Sequence, residues 1–360
     1  MASTESSNSD DGRIIAGPYA AFAAWLHRNL LWLLVGCYLL AAVLPKPGQA
    51  IRRWSPALAD NQDITAPLLL LALLLFCAAA VVRWTQMREL LQRPGILLVS
   101  LIAIWLVPCL FVSALGWILP SVLGSFATSG MLVGLALVAA MPVANSSVAW
   151  CQNSKGNVGL SLGIIVLTIV LCPIVTPQLL NLMGFSLSPL ETQQCEQLVK
   201  RFSSSTFIVW VIFPSFAGMM FNRLAGPAWI ERLRDTLRLI SAGTLLTLNY
   251  ASASLAMPRI FGEEVWQTIL LSTVLAMVLS MLGIASGWVT ARAMSLDKPT
   301  TTALMFGFSM KHTGLALVLA DYIAQQEPRV ILMIVLATLL QHVVAGLTDW
   351  YFMHRAERVS

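Results

Sequence analysis

The sequence predicts an all-α, polytopic membrane protein with ten transmembrane helices, and three observations carry that prediction. Of its 360 residues 58% are hydrophobic and 11% charged, less than half the roughly 25% charge of a soluble domain. Mean hydropathy is +0.77. Apolar runs of about 17–25 residues, the length that crosses a bilayer's hydrocarbon, recur from end to end. They fall at 29–45, 65–82, 96–118, 127–150, 157–183, 205–222, 237–257, 266–290, 301–322 and 329–353. A water-exposed surface cannot be built from these letters.

The chain opens with MASTESSNSDDG, acidic and rich in serine. No basic segment precedes a short apolar stretch, so 1–18 reads as a disordered cytoplasmic tail rather than a cleavable signal. The first five spans occupy 19–183, an external connector follows at 184–204, the second five spans occupy 205–353, and 354–360 is a second tail. Two linkers show amphipathic patterns. Gly226–Leu237 (GPAWIERLRDTL) begins with Pro227 at a helix N1 position. It puts Trp229, Ile230, Leu233 and Leu237 on one stripe, which predicts a short helix lying on the cytoplasmic surface. RWTQMRELLQR (83–93), ended by Pro94-Gly95, is a second such segment.

Ten crossings put both termini on one side. Lys and Arg favour that side over the other by about two to one, so the positive-inside rule places both termini in the cytoplasm. The expected location is a bacterial inner or plasma membrane. The basic residues stand at span edges, where they orient helices, and none forms a nucleic-acid patch. The cysteines Cys37, Cys77, Cys109, Cys151, Cys172 and Cys195 are scattered. No CxxC or Cys/His spacing suggests a metal or a disulfide, and they read as small packing residues. No cofactor is expected.

Two spans break the apolar rule at their centres. In the fourth, MPVANSSVAW places Pro142 ahead of Asn145, Ser146 and Ser147. In the ninth, GFSMKHTG (307–314) holds Gly307, Ser309, Met310, Lys311, His312, Thr313 and Gly314. Each break lies in the fourth span of its half. Interruptions at corresponding positions of two halves point to an inverted-repeat transporter with its site near the midplane. Irregular backbone at that depth survives only when buried in protein or lining a wet cavity. Pro142 removes a backbone donor, and the neighbouring Asn and Ser side chains can partner the freed groups.

Lys311 carries the stronger signal. A lysine at a helix centre costs about 2.5–3.5 kcal/mol on insertion scales. Lying mid-span, its stem cannot reach an interface by snorkelling. Broken-helix carbonyls, a polar pocket or a bound anion must offset that cost. Half-helix N-termini add partial positive charge and free N–H groups, so a crossing beside Lys311 predicts an electropositive pocket and a small organic anion as substrate. Gln341-His342 in the tenth span can face the same interior. No Ser/His/Asp arrangement, HExxH or carboxylate pair lies within the spans, and an enzyme is not predicted.

With these residues in view, PVANSSVAWCQNSKGNVGLSLGIIVLTIVLCPIVTP (Pro142–Pro177) resembles the fourth and fifth helices of the bile acid:sodium symporter family. There a P-G-G-T-A-S-N run is followed by K/R-G-N/D-x-A-L-S and a late P-x-x-T-P. Lys155-Gly156-Asn157, Leu160-Ser161 and Pro173…Thr176-Pro177 carry the match. MKHTGLAL (Met310–Leu317) resembles the M-Q-N-S-G-L-A run of the ninth helix. Arg93-Pro94 and Val107-Pro108 fit the third helix, and His342…Gly346 the tenth. The resemblance spans about 65–355. It implies a panel domain of helices 1, 2, 6 and 7 and a core domain of helices 3, 4, 5, 8, 9 and 10. Helices 4 and 9 would be broken and crossed, with sodium ions held around the crossing and alternating access moving the substrate.

The departures from that pattern are as informative. Aligned on Met310 and Gly314, the family's acidic sodium ligand falls on Gly307, its glutamine on Lys311 and the adjacent asparagine on His312. The third-helix glutamine becomes Ala103. Ser147 and Ser161 keep hydroxyls as weak residual sodium candidates, while Val148 and Ile165 replace an asparagine and a threonine. The expectation is a transporter that does not use sodium, with the Lys311 ammonium as a permanent surrogate for the cation. A proton, carried by Lys311 or His312, is the coupling ion this set would allow. A conventional sodium-coupled organic-anion or bile acid symporter and a transport-inactive receptor or sensor are the competing readings.

Overall fold

The computed structural model describes residues 22, 25–26, 29–55, 64–81, 94–124, 130–260, 265–323 and 327–357. They are helical almost throughout. Helix α1, Leu30–Val43, bends through 95° into α2, Pro45–Arg53. Pro45 explains the bend, because a proline excludes the helical conformation from the residue before it. Helices α3 (Ala66–Ala80), α4 (Pro94–Leu123), α5 (Met131–Ala140), α6 (Ser146–Asn153) and α7 (Val158–Gly184) follow. The connector forms α8, Pro189–Phe202, started by a capping box between Ser188 and Glu191. Then come α9 (Ser205–Ile260), two helical stretches that meet at the non-helical Gly226, α10 (Val265–Ala293), α11 (Lys298–Ser309), α12 (Thr313–Ala320) and α13 (Pro328–Glu357).

Among the described residues, four helices and the greater part of α9 are each long and apolar enough to cross a membrane: Pro94–Leu123, Val158–Gly184, Phe207–Leu255, Trp266–Ala293 and Pro328–Tyr351. The bent pair α1–α2 makes a sixth. The outer surface is that of a lipid-facing protein, with Trp117 71%, Leu224 78% and Trp266 80% exposed.

A helix does start at Pro227 as expected, but it is longer than the expected 226–237 segment. That segment begins at Gly226, where φ is +77°, and then continues without interruption to Ile260. Ile230 and Leu237 are buried while Trp229 is exposed, so the apolar stripe is used for packing over part of its length. Pro227 can follow because its own N–H would have been unpaired in the first turn. Segment 83–93 and the tail 1–18 lie outside the described residues.

The helices sort into two packing groups. In one, α1, α2 and α3 lie against α9. Gly218 on α9 permits the approach, since a Cβ there would stand 2.4 Å from the Phe76 carbonyl. Tyr38 donates to Asn249 Oδ1 over 2.7 Å and Asn222 to the Ala80 carbonyl over 2.6 Å. The other group gathers α4–α7 and α10–α13. Gly283 and Gly287 of α10 let the backbone of α11 approach, with Ser309 Cα 2.4 Å from the place of one Cβ and Met305 Cα 2.7 Å from the other. Gly134 does the same for α5 against Met333 of α13.

Candidate functional site

Helix α5 stops at Ala140 and α6 starts at Ser146; α11 stops at Ser309 and α12 starts at Thr313. The two interruptions meet. Val143 and Lys311 form a single antiparallel bridge, in which His312 N donates to the Pro142 carbonyl over 2.8 Å and Ala144 N to the Met310 carbonyl over 3.0 Å. Met141 is extended (φ −70°, ψ 152°), as expected for a residue before proline. Pro142 and Met310–Thr313 are buried, so each break supplies partners to the other where water cannot.

Side chains complete the accounting. On α7, Thr168 Oγ1 accepts from Val143 N over 3.1 Å and donates to the Ile165 carbonyl over 2.9 Å. Thr176 Oγ1 donates to Ala140, the last residue of α5, over 2.8 Å. His312 is the N-cap of α12, its Nδ1 accepting from Leu315 N over 3.1 Å, which leaves the ring proton on Nε2. Ser309 Oγ donates to the Phe306 carbonyl.

Lys311 is 2% exposed. Its backbone N donates to Gln341 Oε1 on α13 over 2.9 Å. Its Nζ donates to the Ile104 carbonyl of α4 over 2.7 Å. That carbonyl is available for a chemical reason: in a helix it would accept from residue 108, and residue 108 is a proline without an N–H. The ammonium thus takes the place of the missing donor, next to Ala103. Cys172 lies near enough to interact with it electrostatically.

The side chains at this position differ from those the resemblance gives to a sodium site. A hard cation asks for several oxygen ligands, and Lys311 presents an ammonium where the resemblance puts an amide oxygen. Gly307 provides no carboxylate, and a Cβ there would meet nothing within 4 Å. Among the described residues no group of three or more His, Cys, Asp or Glu is arranged to hold a metal.

The other expected site residues are divided. Asn145 and Ser146 are half-buried at the start of α6, and Asn145 lines a small cleft with Ala78, Ile165, Ile169 and Ser215, between the two packing groups. Ser147 and Ser161 are fully buried, and among the described residues their hydroxyls have no nitrogen or oxygen partner; the Cys151 thiol lies beside Ser161. A Cβ at Gly314 would stand 3.4 Å from Leu248 of α9 and 3.5 Å from Leu74 of α3, so the crossing also abuts the first group. His342 Nδ1 lies 2.8 Å from the Thr338 carbonyl one turn back; its neighbour Gln341 is the residue that reaches the crossing.

Sequence reasoning missed Ile104, Thr168 and the pair Gly283/Gly287. Signals existed for each. Pro108 marks the carbonyl four residues earlier, the hydroxyls of Ser161, Thr168 and Thr176 repeat at helical spacing on one face of α7, and Gly283-x-x-x-Gly287 is a close-packing pattern.

Among the described residues the fold is helical and lipid-faced, that of an integral membrane protein, and its class is that of the transporters. The chain belongs to the SBF-like CPA transporter family (DUF4137), whose model matches residues 28–355, a family of the bile acid:sodium symporter type. The uncharacterized protein YbaS of Bacillus subtilis (strain 168) is 28% identical over 226 residues, 63% of this chain and 70% of that protein. The uncharacterized protein PA2026 of Pseudomonas aeruginosa is 27% identical over 207 residues, 56% of this chain and 60% of that protein. The uncharacterized sodium-dependent transporter YocS of Bacillus subtilis is 24% identical over 253 residues, 69% of this chain and 72% of that protein.

Proposed function

We propose that this protein is a secondary transporter of a small organic anion that works by alternating access without sodium, the Lys311 ammonium standing in for the cation its relatives would bind. The observation that carries this reading is the bond from Lys311 Nζ to the Ile104 carbonyl, which holds the lysine's amine within the helices that surround the crossing. The ten-span, five-plus-five inverted arrangement belongs to the same reading. So does a panel built on α1–α3 and α9 that moves against a core of the other helices. Half-helix N-termini at Ser146 and Thr313 face the region of the Lys311 charge and add to a positive potential suited to a carboxylate. Bile-acid-like sterols, pantoate-like acids and 2-oxo acids all have that chemistry.

The test is uptake by proteoliposomes with a panel of such anions, sodium being replaced by potassium or choline. Undiminished uptake is expected; abolition by the replacement would end the surrogate reading. The sodium-coupled alternative draws on the buried hydroxyls of Ser147 and Ser161 and on the likeness to YocS, a sodium-dependent transporter. Thermal stabilisation of the purified protein by sodium but not by potassium or choline would favour it.

A further inference from the structure

A second charged site lies away from the crossing, where α2 and α12 end. A cavity of about 310 Å³ opens there, lined by Gln49, Arg52, Arg53, Thr65, Asp321 and Tyr322 among others. That volume suits a small ligand. Arg52 comes from the first packing group and Asp321 from the end of α12 in the second, and their charges meet across the boundary. Arg52 Nη2 donates to the Asp321 main-chain carbonyl over 2.9 Å. Nε and Oδ1 approach to 3.1 Å, yet they are not aligned as a hydrogen bond, and both atoms are buried without one. Asp321 thus engages Arg52 through an ion pair and a main-chain bond, and a ligand carboxylate that takes the guanidinium through two N–H groups competes with it. Arg53, exposed at the rim, adds a second guanidinium, so the cavity holds two cations against one carboxylate.

We infer that this cavity is a carboxylate-binding site, in which a small monocarboxylate contacts Arg53 and displaces the Asp321 side chain from Arg52. A guanidinium is charged at every relevant pH and takes a carboxylate through two parallel N–H bonds, a geometry that Asp321 does not reach. Asp321 thus acts as an internal competitor for the ligand. Its displacement weakens the tie between α2 and α12, leaving one bond to the main-chain carbonyl. The site deepens the organic-anion reading, on which its place in transport rests, but anion binding here is measurable without transport.

Thr65 lines the cavity and serves as a reporter position. The full chain carrying Thr65→Cys, in nanodiscs, is treated with a maleimide in the presence of millimolar pyruvate or of equal chloride, and the wild type supplies the background rate of its native cysteines. Pyruvate is expected to slow labelling several-fold and chloride is not. Adding Arg53→Gln, an exposed change that leaves packing intact, is expected to remove the protection, and Asp321→Asn to produce it at lower pyruvate. Absence of protection, equal protection by chloride, or protection indifferent to both substitutions would overturn the site. Protection that disappears with Lys311→Ala would also overturn it, by assigning the pyruvate effect to the crossing. Uptake by the Lys311→Ala protein reports separately on the transport reading.

Discussion

Lys311 donates its side-chain ammonium to the Ile104 carbonyl over 2.7 Å, the carbonyl that Pro108 leaves without its helical donor. A cation and a proline from distant parts of the chain thus satisfy one defect together. The cost of a buried ammonium falls because the acceptor was already freed, and the cost of the freed carbonyl falls because the ammonium finds it.

The first prediction concerns that coupling. Pro108→Ala restores an N–H that competes for the Ile104 carbonyl, and Lys311→Met removes the ammonium. Residues sharing a partner deviate from additivity by about 0.5–3 kcal/mol. The double variant is expected to be less destabilised than the sum of the singles, measured by thermal unfolding in detergent. Strict additivity would mean that the bond contributes nothing.

The second concerns the cation surrogate. Gly307 lies four residues before Lys311, and a Cβ at 307 has open space around it. The pair Gly307→Asp and Lys311→Gln therefore exchanges an ammonium for a carboxylate and an amide oxygen in available room. Sodium is expected to raise the Tm of the double variant and not that of the wild type. A wild-type Tm that rises with sodium would count against the surrogate.

The third concerns the broken helix α5–α6. Thr168→Val keeps the shape of the side chain but leaves the Val143 amide without its acceptor. An unsatisfied buried donor costs about 1–3 kcal/mol. A lower Tm is expected, and Thr176→Val, which strips the Ala140 carbonyl of its donor, should lower it comparably. Unchanged unfolding in both would show that the break has other partners.

The fourth concerns the connector. Glu191 of α8 accepts from Ser188 N over 3.0 Å and from Ser188 Oγ over 2.6 Å, yet burial raises its pKa above the ordinary carboxyl range. A folded pKa above the unfolded one means that the folded state holds the proton more tightly. The resulting stabilisation is full below the unfolded value and is lost as pH rises through the folded one. The Tm of the wild type should therefore decline relative to Glu191→Gln as pH is raised from acid towards neutrality. A pH-independent difference would remove this assignment.

Much of this was legible in the residues. Low charge and long apolar runs announced a helical membrane protein, and Pro142 and the GFSMKHTG octet marked the places where helices α5 and α11 end. The motifs around Lys155-Gly156-Asn157 and Met310–Leu317 point to the bile acid:sodium symporter type. At 226–237, by contrast, an amphipathic stripe with Pro227 reads equally well as a surface helix or as the start of a longer one. Local pattern cannot say whether the next span continues its axis.

The sequence by itself determined that a lysine must be buried, because hydropathy and span length are local properties and a charge in mid-span has nowhere else to go. Only the tertiary structure decided what that lysine meets. Which carbonyl lies within 2.7 Å of Nζ, which break bonds to which, and that Arg52 reaches Asp321 all depend on helices far apart in the chain coming together. Hydrogen bonds and ion pairs act over a few ångströms, and that proximity is set by packing the whole fold.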